Sequence, residues 1–90
     1  MTADKKTVFE HALFRELLKN RIPASIGSLG DIYVDNKKGV YIAFVGYHMI
    51  GDSLHLHCNQ SGRAMWIKEW SDPTVEEVVT FATEWMETTR

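Results

Sequence analysis

Ninety residues with 44% hydrophobic content and a net charge of −2 describe one small domain with a single core, and exclude a disordered chain. One cysteine excludes an internal disulfide and points to a reducing, cytoplasmic setting. No stretch reaches the length of a membrane span, and Met1 to Lys6 lacks the apolar run of a signal peptide, so a soluble protein is expected.

Charge is unevenly spread. Residues 1–40 carry a net +2 and residues 41–90 a net −4. Much of the acidic excess lies in the last segment, at Glu76, Glu77, Glu84 and Glu87. At helical spacing such a run is a solvated face, or a docking surface for a basic partner.

In chain order, a helix is predicted over 8–19. Thr7 is a suitable N-cap, and Glu10 sits where a capping box places its carboxylate. Val8, Phe9, Ala12, Leu13, Phe14, Leu17 and Leu18 make an apolar stripe at helical spacing. His11, Arg15 and Lys19 follow at four-residue steps on the opposite side. Pro23 closes the segment by restricting Ile22 to extended backbone. Residues 23–30 hold two glycines but run from a helix to a strand. A phosphate loop has the reverse order, so a plain connector is expected there.

Four strands are then predicted over 31–35, 40–50, 53–59 and 63–69, followed by a helix over 73–87 with Asp72 as N-cap and Pro73 in its first turn. Gly51-Asp52 and Ser61-Gly62 read as two-residue hairpin turns. They place His48 opposite His55, Gly46 opposite His57, Cys58 opposite Met65 and His57 opposite Trp66. A four-residue loop over 36–39 places Asp35 opposite Val40. These registers gather Ile32, Val34, Tyr41, Ala43, Val45, Tyr47, Met49, Leu54, Leu56, Cys58, Met65 and Ile67 on one face. A slip of one residue exchanges a strand's faces. With an apolar stripe on each helix, both helices should cover that face, giving a two-layer α+β domain of order α-β-β-β-β-α.

The second face would carry Tyr33, Ile42, Phe44, Gly46, His48, His55, His57, Trp66 and Lys68. Aromatics at that density exceed the scatter expected of an exposed surface, so they are expected to be covered by a second copy, a different protein, a ligand, or one of the two helices packing on this side instead. The simplest partner is a second copy, because a two-fold axis needs one self-complementary patch. Histidines at that interface would make association pH-sensitive. Gly46 should leave a shallow depression between Phe44 and His48.

Two other chemistries suit the same face. His48, His55 and His57 on neighbouring strands have the makings of a three-histidine zinc site with an open fourth position, the arrangement of a metal-dependent hydrolase, or, without metal, of a histidine site for a small anionic ligand. Tyr33, Phe44 and Trp66 would stack single-stranded bases, with Lys37, Lys38, Arg63 and Lys68 meeting phosphates. The net charge counts against nucleic acid. No Ser/His/Asp order, paired-carboxylate spacing or zinc Cys motif is present. The helix–meander–helix outline resembles small α/β chaperone and adaptor domains, a likeness of fold that leaves function open. The expectation is a non-enzymatic protein-binding module without a cofactor, of adaptor, chaperone or inhibitor type. An origin in a phage or mobile element would favour the inhibitor.

Overall fold

A computed structural model describes residues 5–48 and 53–89. The elements are α1 (Lys5–Lys19), β1 (Ala24–Ile26), β2 (Ile32–Asp35), β3 (Tyr41–His48), β4 (Leu54–Gln60), β5 (Lys68–Ser71) and α2 (Val75–Thr88). The strands form one antiparallel meander in chain order, β1-β2-β3-β4-β5. The α+β class with a helix at each end is the one expected. The fifth strand, β1, lies in the stretch expected to be a connector. Three residues between Pro23 and Gly27 are too few to show a two-residue period.

The helices start differently from expectation. α1 already includes Lys5, so Thr7 lies within the helix rather than capping it. Glu10 closes no capping box. It is buried, its carboxylate 2.8 Å from Lys6 Nζ and pressed against Gly30. Gly30 stands at φ +89, and a Cβ there would lie 2.5 Å from Glu10 Oε1. The glycine is thus required by the way α1 clamps the β1–β2 turn. α2 is capped by Thr74, not Asp72. Thr74 Oγ1 accepts from the Glu77 amide at 3.1 Å, while Glu77 Oε1 accepts from the Thr74 amide at 3.3 Å.

Leu13 and Leu17 of α1 and Val78, Ala82 and Trp85 of α2 pack with Ile32, Val34, Ile42, Phe44, Leu56 and Cys58 in one buried cluster. Both helices therefore cover the same face of the sheet, as expected, and among the described residues the opposite face has no helix on it.

The strand registers differ from those read off the turns. Asp35 pairs with Tyr41, not Val40, and Ile32 pairs with Phe44. The loop is one residue longer because Asp35 and Asn36 organise it themselves. Asp35 Oδ1 accepts from the Lys37 amide at 2.7 Å and Asn36 Oδ1 from the Lys38 amide at 2.8 Å. Lys37 and Gly39 both take positive φ. On the far side of β3, His48 pairs with Leu54 and Val45 with His57. The Gly51-Asp52 turn, with Met49 and Ile50, lies outside the described residues.

The two shifts of one residue cancel for β2 and β4 and invert β3 alone. Ile42 and Phe44, expected on the second face, are fully buried against the helices, and Tyr41 is exposed. Gly46 likewise faces the core, beside Leu54, Leu56 and the stem of Lys6, and forms no depression on the open face.

The last hairpin is shifted by three. Cys58 pairs with Lys68 and Leu56 with Trp70. β5 thus begins at Lys68 rather than at 63, and Met65 and Ile67, expected in the core, are exposed. Trp70 takes their place. Its ring lies 6.1 Å from Phe44 and 5.2 Å from Phe81. Lys68 shares that row, its Nζ 5.7 Å from the Trp70 ring, and so leaves the second face as well.

Candidate functional site: the open sheet face

With β3 inverted, the helix-free face carries Tyr33 from β2, Tyr41, Ala43 and Val45 from β3, and His55, His57 and Asn59 from β4. Cross-strand pairs Tyr33–Ala43, Val45–His57 and Ala43–Asn59 hold these residues in adjacent rows. Tyr33 and Tyr41 meet edge to face, with ring centroids 5.9 Å apart. This T-shaped contact is one of the two preferred aromatic arrangements.

Trp66 comes from the β4–β5 connection and lies flat on His57. Their ring centroids are 4.0 Å apart and their planes 16° from parallel. The stack holds one side of the indole while Trp66 stays 45% exposed. The connection is tied down at its far end, where the Ile67 amide donates to the Cys58 carbonyl at 2.7 Å. Met65 and Ile67 flank Trp66 and are exposed too. His55 Nδ1 lies 3.3 Å from Ser71 Oγ on the neighbouring strand.

Beside this aromatic band is a hollow of about 370 Å³, with Asp31, Tyr33, Tyr41, Asn59 and Arg63 among its lining residues. Ser61 lines it too, its Oγ accepting from the Tyr41 amide at 3.1 Å and its own amide donating to the Tyr41 carbonyl at 2.9 Å. The face therefore offers flat apolar rings next to a polar rim of mixed sign.

Of the residues expected here, Tyr33, His55, His57 and Trp66 are present. Ile42 and Phe44 belong to the core, and Lys68 lies in the helix-side row. His48 pairs with Leu54, and His55 with Tyr47, so the cross-strand histidine pair on which the zinc arrangement rested is not formed. Among the described residues no three His, Cys, Asp or Glu side chains converge to hold a metal ion. The removal of Phe44 and Lys68 likewise takes away a base-stacking ring and a phosphate contact. Cys58 is enclosed, and burial pushes its thiol up to about 12, which makes it a packing residue.

Tyr41, Ala43 and Val45 were missed because both alternating sets of β3 are apolar. The signal that could have found them is Asp35-Asn36. Each of these side chains caps an amide two residues on and so lengthens the loop. Compared with protein-family models, with curated proteins and with solved structures, the chain matches none.

Proposed function

We propose that the chain is a small non-enzymatic protein-binding module of adaptor, chaperone or inhibitor type. It works through the open sheet face, and the partner there is a second copy of itself. The observation that carries this reading is Trp66, stacked on His57 yet 45% exposed, on a face that also shows Tyr33 and Tyr41. Aromatics held rigid and left half in water are the usual energetic centre of a protein interface. A flat face around them can meet its own copy across a two-fold axis. The mixed polar rim of Asp31, Asn59 and Arg63 suits the edge of such an interface better than a catalytic centre.

Sedimentation equilibrium of the full chain at neutral pH, from micromolar to millimolar concentration, tests the reading. A dimer is expected whose dissociation constant rises at least tenfold in Trp66→Ala. A wild-type monomer at millimolar concentration overturns the second copy as partner. A dimer indifferent to Trp66→Ala overturns the surface.

A further inference from the structure

We infer that the groove between the outer sides of α1 and α2 is a second docking site. Its occupant is an amphipathic helix of another protein, about three turns long, basic along one flank and acidic along the other.

The groove has a volume of about 1050 Å³. Its small apolar residues are Ala12 from α1 and Val75 and Val79 from α2, with Thr80 and Thr83 beside them. Small residues let a further helix approach closely, since interaxial distance is set by the side chains at the contact. Along α2 the groove runs from Val75 to Glu87. At 1.5 Å per residue this is about 18 Å, or just over three helical turns. The length matches a short helix rather than an extended peptide or a compact small molecule.

Charge specifies the occupant further. The α1 side contributes Arg15 and Lys19, with Glu16 between them, and the α2 side contributes Glu76, Glu84 and Glu87. Lys5 Nζ meets Asp72 Oδ1 at 2.7 Å, so both helices start at the same end of the sheet. Arg15 and Lys19 therefore lie at about the same height as Glu84 and Glu87, across the groove from them. Among the described residues none of these five outer groups is in an ion pair. The groove is thus polarised across its width and acidic in sum. A helix laid in it meets carboxylates on one side and mainly cations on the other. Turning such a helix end for end exchanges its flanks, so the polarity also fixes the direction in which it docks.

The test is a titration of the isotope-labelled full chain, followed by amide NMR, with two synthetic fifteen-residue helices that share one Ala/Leu seam. One carries Lys on one flank and Glu on the other; the second carries Glu on both. The polarised helix is expected to shift the α1 and α2 resonances that line the groove, with an affinity at least tenfold above that of the all-Glu helix. In the double variant Glu84→Lys, Glu87→Lys both sides are basic, and the order should invert. These positions are exposed, and far-UV circular dichroism checks that the variant folds. If it does not, Arg15→Glu with Lys19→Glu asks the same question from the other side. There the preference should move to a helix with Lys on both flanks. Trp66→Ala should leave helix binding unchanged, which separates this site from the open sheet face. The inference is overturned if neither helix shifts the groove, if the charge-reversed variants keep the wild-type order, or if the groove resonances move with protein concentration alone. The last result would make the occupant a second copy of the chain.

Discussion

Trp66 rests on His57 in nearly parallel rings 4.0 Å apart, although the partner of His57 on β5 is Glu69. The contact is made by side chains across an irregular connection, without a backbone ladder behind it. Replacing Trp66 with Ala therefore removes a surface contact and little of the fold. Association is expected to weaken tenfold or more while the urea midpoint moves little. If the midpoint instead falls as far as in a core variant, Trp66 is a folding residue and the interface lies elsewhere.

Phe44 is the contrasting case. It is 1% exposed, with its ring 6.1 Å from Trp70 and 6.5 Å from Phe81. Phe44→Ala should cost about 3–5 kcal/mol, and Leu56→Ala about 2–5 kcal/mol, through transfer and cavity terms. Urea unfolding of both variants checks this. A Phe44→Ala protein of wild-type stability would contradict the inverted register of β3.

Two glycines should respond in opposite ways. Gly46 lies in a strand, and a Cβ there would meet its nearest neighbours at 3.6–3.7 Å, an ordinary contact. Gly46→Ala should leave stability unchanged or raise it by about 0.4–1 kcal/mol, by restricting the unfolded chain. Gly30→Ala should lose about 1–2 kcal/mol from the left-handed backbone alone, and more from displacing Glu10. Thermal unfolding of the pair decides. An equal loss in both would mean that the strand has no room beside Leu54 and Leu56.

Asp72 makes stability depend on acid. The hydrogen bond from Lys5 Nζ, and after it the one from the Leu54 amide, lowers its carboxyl from 3.8 to about 2. The folded state therefore binds this proton less readily than the unfolded state does. The stabilisation is complete above about pH 4 and disappears as pH falls through 2. Asp72→Asn should flatten the loss of stability between pH 4 and pH 2 relative to wild type, as urea midpoints measured at several pH values would show. Identical slopes for the two proteins would mean that the ion pair does not hold in solution.

Much of the architecture was legible in the sequence. Ahead of α2, Asp72-Pro73 marks the helix start within two residues and competes with the Thr74-x-x-Glu77 box that caps it, while the period of α1 and the alternation Leu54, Leu56, Cys58 against His55, His57 each carry one unambiguous signal. β3 does not. Tyr41, Ala43 and Val45 are as apolar as Ile42, Phe44 and Gly46, so its facing rests on loop length alone. Equal slips on both sides of one strand leave its neighbours in phase, so the registers agree with one another whether or not β3 is inverted. The last hairpin failed for a related reason. Met65 and Ile67 read as a buried alternation, yet β4 pairs with a strand that starts only at Lys68, where Trp70 is large enough to close the core beside Phe81. For the site, Tyr33, His55 and His57 could be read because β2 and β4 kept their phase; Trp66 was placed beside His57 by a strand pairing where the structure has a ring stack, and Tyr41 could not be read.

The two outermost strands set a limit on how copies of this chain add to one another. β1 has three residues and follows Pro23, which lacks an amide hydrogen; β5 has four, two of them the charged Lys68 and Glu69. Short, charged or proline-bounded borders offer few free amides and carbonyls to a neighbouring sheet. Growth strand by strand into a fibre is thus disfavoured at both borders. Any self-association is left to the broad faces, where a two-fold contact would close on itself after two chains.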